Sequence, residues 1–198
     1  MSSALILLDY QEAICRADGI IGEPSGMGAE AARRSVLANA AKALAAARDA
    51  GVTVIHSRVA FDENFTKRTN RSVVFAQMGS VLLEGSEHVR FCSEVEPRPE
   101  EPVITRAWVN PFLNSPMEGL LRGKSISTVF LGGVATNYVV ESAARHAADL
   151  GYETYVVDDL CASVGAAEHE FAVGMLPVWA EVIGLDRCLE LLASGAAQ

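Results

Sequence analysis

The stretch that most constrains this chain is Val129–Gly151, VFLGGVATNYVVESAARHAADLG. An apolar run rich in β-branched and aromatic residues predicts a buried strand over Thr128–Leu131. Gly132 and Gly133 then predict a tight turn. Thr136 or Asn137 as N-cap, an Ala-rich body and Gly151 just past the end predict a helix over about 137–150. A strand that stops at glycines and turns into a helix aims backbone N–H groups and the helix's positive end at one point. Such a point favours an anion or a developing oxyanion.

The rest of the chain fits around that unit. Ala4–Leu8 is continuously apolar, as in a central parallel strand buried on both faces, and it ends at Asp9. Ligands of open α/β sheets sit beyond the carboxyl ends of strands, which places Asp9 for chemistry. Tyr10–Gly28, with four glycines and Pro24, reads as a loop. Its GxxxGMG lacks the lysine and the frame of a nucleotide fingerprint. Ala29–Ala50 reads as one long Ala-rich helix, Val52–Ser57 as the second strand and Pro102–Thr105 as the third, delivering Arg106. A short helix follows at Pro116–Leu121. Glu153–Asp158 reads as the fifth strand, Ala166–Trp179 as a helix, Val182–Ile183 as a last strand and Leu185–Leu192 as a final helix, with SGAAQ a frayed tail. Residues 60–101 are the least regular part. A segment that long is expected to be a lid, a binding loop or an interface, with one short helix in SVVFAQMGSVLLEG. Lys67, Arg68 and Arg71 in it are read as a solvated loop, or as one arm reaching a substrate carboxylate. Phe61, Phe65 and Phe75 offer apolar surface for self-association into a homo-oligomer.

With 198 residues, half of them hydrophobic, a single domain over residues 1–198 with a large core is expected. The net charge of −9 argues against nucleic acid and anionic membrane surfaces as partners. The four cysteines show no CxxC spacing, so reduced thiols in a cytoplasmic protein are expected rather than a zinc or redox site. No basic residue precedes the short apolar run at Ala4, which argues against a signal peptide.

Three ordered stretches, LILLDYQ, TRAWVNPF and GVATNYVVESAA, resemble the signature regions of the isochorismatase-like (cysteine hydrolase) superfamily across nearly the whole chain. The resemblance implies a three-layer doubly wound sheet of six mostly parallel strands, order 3-2-1-4-5-6. It implies a catalytic Asp at Asp9, a Lys at the position of Arg106 and a Cys at the position of Val139, so only the Asp is matched. It assigns anion binding by backbone N–H groups to Ala135 and Val139, and a cis peptide to Val134–Ala135. Asn110 and Phe112 resemble the polar–Phe pair after the family's Lys. Tyr138 is a further substrate-binding candidate, and Trp108 either walls a pocket or is core. Relatives with a metal carry Asp-x-His in the loop after the second strand. Here VAFDENFTKRTNR has no histidine, so no metal and no cofactor are expected. His56 and His169 are read as structural, His88 as a loop residue and Cys161 as inert.

Valine offers no nucleophile. Thr136 stands about a helical turn away, a displacement of the order of ~5 Å that positional catalysis does not tolerate. Arg106 would hold Asp9 ionised or bind a substrate carboxylate in a fork. Three readings remain open. Asp9 acts as a general acid, as relatives of the phenazine-pathway isochorismatase kind cleave a vinyl ether without the Cys; or, ionised, as a general base on water or in another proton transfer; or the chain is a binding or scaffold protein that has lost catalysis. The expected substrate is a small, anionic metabolite.

Overall fold

A computed structural model of the chain describes residues 2–78 and 80–195. Strands β1 (Ser2–Leu8), β2 (Thr53–Val59), β3 (Val103–Arg106), β4 (Ile126–Val134), β5 (Glu153–Ala162) and β6 (Glu181–Ile183) form one sheet in the order β3-β2-β1-β4-β5-β6. Every pairing is parallel, as the resemblance implied. The apolar run of β1 is needed because its two faces enter two cores. Leu5 and Leu7 pack toward helix α4 (Val36–Asp49) and the C-terminal α9 (Leu185–Gly195). Ala4, Ile6 and Leu8 pack with the buried alanines of α7 (Glu141–Asp149).

Several boundaries differ from the sequence reading. The expected single helix over Ala29–Ala50 is two helices, α3 (Met27–Arg33) and α4, broken at Ser35 with φ 55°. A left-handed residue cannot continue a helix. The Tyr10–Gly28 loop contains two one-turn helices, α1 (Glu12–Cys15) and α2 (Gly22–Ser25). Gly22 of α2 and Gly28 of α3 let these helices pack tightly on the end of α1, since a Cβ at either would lie 2.4 Å or 2.0 Å, respectively, from the Arg16 carbonyl oxygen. The irregular 60–101 segment holds the expected short helix, α5 (Val73–Met78). Phe61 and Phe75 are buried and Phe65 packs against them, so these rings stabilise the fold and are not a surface for self-association. Helix α6 (Met117–Gly123) and helix α8 (Ala166–Met175) complete the order, α8 ending in a 3-10 turn rather than running to Trp179. Of the expected frayed tail, residues 196–198 lie outside the described residues.

Gly132 and Gly133 are not a turn. They lie inside β4, paired with Leu7 and Leu8 of β1. A Cβ at Gly133 would come within 2.5 Å of the Leu8 carbonyl oxygen, and one at Gly132 within 2.6 Å of the Leu160 Cβ. Close approach of neighbouring chain is what these glycines permit. Opposite them β5 carries extra residues between Val156 and Cys161, and Tyr10 Oη donates to the Leu160 carbonyl at 2.5 Å.

Candidate active site

The carboxyl ends of β1, β2, β3 and β4 meet around a cavity of about 50 Å³, with Asp9, Val59, Arg106 and Val134 in its wall. Asp9 follows β1 in the left-handed region, φ 60°, a conformation that Asp tolerates better than most residues. Its N–H donates to the Ser57 carbonyl at 2.9 Å. Arg106, 2 % exposed, donates from Nη2 to Asp9 Oδ2 at 2.5 Å. It also donates from Nε to Ser57 Oγ at 3.1 Å and from Nη1 to the Trp108 carbonyl. Asp9 Oδ1 is buried and has no hydrogen-bond partner among the described residues. Burial pushes the Asp9 carboxyl up from the ordinary carboxylate range, and the charge and hydrogen bond of Arg106 pull part of that back.

After β4 the Val134–Ala135 peptide is cis. Next comes a widened π-type turn, Thr136–Val140, in which the Val140 N–H reaches the Ala135 carbonyl. Helix α7 therefore starts at Glu141, later than the sequence indicated, and neither Thr136 nor Asn137 is its N-cap. The turn is anchored from behind. Thr136 Oγ1 lies 2.7 Å from His169 Nδ1, and His169 Nε2 lies 2.8 Å from Asp158 Oδ1. Ser163 Oγ donates to Asn137 Oδ1 at 2.5 Å. The Thr136 hydroxyl is thus part of a buried structural network.

Asp9, Arg106, Ala135, Tyr138 and Val139 are brought together in the cavity wall. Asn110 is turned away: its Nδ2 lies 3.0 Å from His146 Nδ1 and its Oδ1 accepts from the Phe112 N–H at 2.9 Å. The Trp108 ring packs partly buried on the core, and only its carbonyl reaches Arg106. Arg68 donates to the Phe75 carbonyl at 3.2 Å and is not in the cavity wall. Sequence reading missed Ser57, which touches both Asp9 and Arg106, and missed the apolar walls. Ile14, Ile21 and Met27 come from the 10–28 loop and Val74, Phe75 and Leu82 from the 60–101 segment. Their only signal was apolar residues recurring in two segments that otherwise read as loops.

Other candidates lie elsewhere. His56 Nε2 is 3.0 Å from Glu101 Oε2, deep in the fold. Cys161 is buried, and burial pushes its thiol up to about 12. Among the described residues, no three of His, Cys, Asp and Glu cluster so as to hold a metal ion, and no helix is long and apolar enough to cross a membrane.

The architecture recurs in solved structures. A cysteine hydrolase from Pseudomonas syringae pv. phaseolicola 1448A superposes with a TM-score of 0.86 at 20 % identity, over 98 % of this chain and 93 % of that one. An isochorismatase family protein from Desulfovibrio vulgaris gives 0.83 at 21 % identity over 97 % and 98 %. N-carbamoylsarcosine amidase from Thermoplasma acidophilum gives 0.74 at 19 % over 94 % and 98 %. At these identities the likeness is one of fold. The family model described as Isochorismatase domain matches residues 3–187, and the chain belongs to the isochorismatase family.

Proposed function

We propose that the chain is a hydrolase of this family that works without a cysteine nucleophile, by acid/base catalysis through Asp9 on a small metabolite in the cytoplasm. One observation carries the reading: a buried carboxyl in the cavity wall has one oxygen held by Arg106 and the other without a partner among the described residues. Beside it, where the family motif has Cys, stands the hydrocarbon of Val139. Without a nucleophile in place, proton transfer is the chemistry that these residues support.

An enol ether illustrates the balance. Asp9 gives its proton to the enol carbon, leaving an oxocarbenium ion beside the carboxylate. Water adds to that cation and returns a proton to Asp9, and the hemiacetal separates into a carbonyl compound and an alcohol. Arg106 keeps Asp9 in place through Oδ2 and leaves Oδ1 to the reaction.

The test is turnover after exhaustive alkylation of accessible thiols, alongside an intact-mass search for a covalent intermediate. Activity should survive and no acyl adduct should form. Activity lost on labelling of Cys161, with protection by substrate, would return the chemistry to a thiol. A protein that binds ligand at this cavity without turning any over would be a binding member of the family.

A further inference from the structure

We infer that the molecule received by this cavity is small, uncharged and largely apolar, and presents one hydrogen-bonding group to Asp9. This rests on the cavity being the catalytic site and goes further by naming the chemistry of its ligand. It departs from the anionic substrate expected from the sequence.

The first ground is charge. Arg106 is the only cationic side chain in the cavity wall among the described residues, and it is already paired with Asp9 at 2.5 Å. Of the five N–H donors of a guanidinium, three are held by Asp9 Oδ2, Ser57 Oγ and the Trp108 carbonyl. Every nitrogen of the fork expected to grip a substrate carboxylate thus already has a protein partner. With Asp9 ionised, an entering carboxylate would be a second anion, stripped of water and sharing the one cation that Asp9 already occupies. That is a strongly unfavourable transfer.

The second ground is the wall itself. Apart from Asp9, Arg106 and Tyr138, the side chains of the cavity wall are apolar, among them Ile14, Met27, Phe75 and Val139. Such a surface gains by covering apolar groups and gives nothing to a hydroxyl-rich ligand. Asp9 Oδ1 is the one buried polar side-chain atom of this wall without a partner among the described residues, so one hydrogen bond to the ligand satisfies the buried part of the site.

The third ground is size. A cavity of about 50 Å³ suits a compact occupant. Short-chain amides, ketones and vinyl ethers have that size and polarity.

The experiment uses the full chain with labelled Ile, Val and Met methyl groups, titrated with matched probes: acetamide against acetate and propionamide against propionate. Chemical shifts of the Ile14, Met27, Val59 and Val139 methyls report occupancy. The amides should move these signals with a Kd at least tenfold lower than that of the isosteric carboxylates. Carboxylates that move them with equal or lower Kd would overturn the inference and leave the proposed acid/base function standing. If neither series moves them, the cavity is not the ligand site, and the functional reading falls together with the inference.

Discussion

Arg106 donates to Asp9 across 2.5 Å, joining the carboxyl ends of β3 and β1, two strands that are not neighbours in the sheet. The strand between them supplies Ser57, whose carbonyl accepts from the Asp9 N–H and whose hydroxyl accepts from Arg106 Nε. The pair is therefore fixed on three strands and has little freedom to rearrange around a ligand.

That fixity makes Asp9→Asn a clean probe. Asparagine keeps the shape and an acceptor toward Arg106 but cannot titrate. Turnover should fall by about 10²–10⁴-fold. The weaker bond to a buried cation should lower stability by roughly 1–3 kcal/mol, read by denaturant titration. An unchanged kcat would remove Asp9 from the chemistry and favour a binding protein.

Replacing Arg106 tests the balance of forces on Asp9. Burial raises the Asp9 pKa and Arg106 lowers it. Arg106→Met removes only the lowering influence, so the pKa should rise further. For a general acid, activity is lost as pH rises through that value, and the descending limb of the pH–rate profile should move to higher pH in Arg106→Met. For a general base, the ascending limb should move to higher pH instead. Arg106→Lys retains the charge and should shift either limb less. A profile unmoved by Arg106→Met would show that Asp9 is not the titrating group.

The sheet was legible because its central strands are uninterrupted apolar runs, and Asp9 because it follows one of them directly, whereas Ala135 and Val139 came only from the family resemblance. Asn110 and Trp108 follow a strand end in the same way yet lie outside the cavity wall, since nothing in their spacing encodes the hydrogen bond that turns Asn110 toward His146. The cavity's roof was not legible either. Phe75 and Leu82 lie in a segment without periodicity, and their burial is decided by contacts distant in sequence. Gly132 and Gly133 were read as a turn because glycine signals either a bend or a close approach, and only the neighbouring chain distinguishes the two.

Close approach predicts that neither glycine tolerates a side chain. Alanine at 133 would meet the Leu8 carbonyl oxygen at 2.5 Å, and alanine at 132 would meet Leu160 Cβ, which moves only with its backbone, at 2.6 Å. Gly133→Ala and Gly132→Ala should each cost about 1–3 kcal/mol or more. An unchanged urea midpoint in either variant would contradict this account of β4.

A second titration lies away from the cavity. Burial raises the Glu101 carboxyl, but hydrogen bonds from Arg48, the Arg98 N–H and His56 more than offset it and hold it at about 2. A depressed carboxylate contributes stability above its unfolded value, 4.5, that is lost as pH falls toward 2. Glu101→Gln should therefore be less stable than the parent at pH 7 by about 1–2 kcal/mol. The gap should close between pH 4.5 and 2. A gap independent of pH would show that Glu101 acts through shape alone.

The sharpest test of the site's placement is Val139→Cys. Val139 lines the cavity in the turn that leads into α7, where the positive end of the helix and nearby Arg106 both favour a thiolate. Three of the native thiols are as buried as Val139 but lie outside this cavity wall. Burial pushes Cys161 and Cys188 up to about 12, and Cys15 higher than its ordinary range. A small alkylating reagent should therefore modify the introduced thiol well before the native ones, as read by intact mass and peptide mapping. The single variant should show little amidase activity, because the Arg106 fork is held by Ser57 and Trp108 and does not act as a mobile ammonium. Val139→Cys combined with Arg106→Lys should come closer to a working Asp–Lys–Cys set and form a covalent adduct with activated acyl compounds. If the introduced thiol reacts no faster than Cys15 or Cys188, the turn does not present its first residues to the cavity as a preorganised site, and the placement of Asp9, Arg106 and Val139 around one reaction centre is wrong.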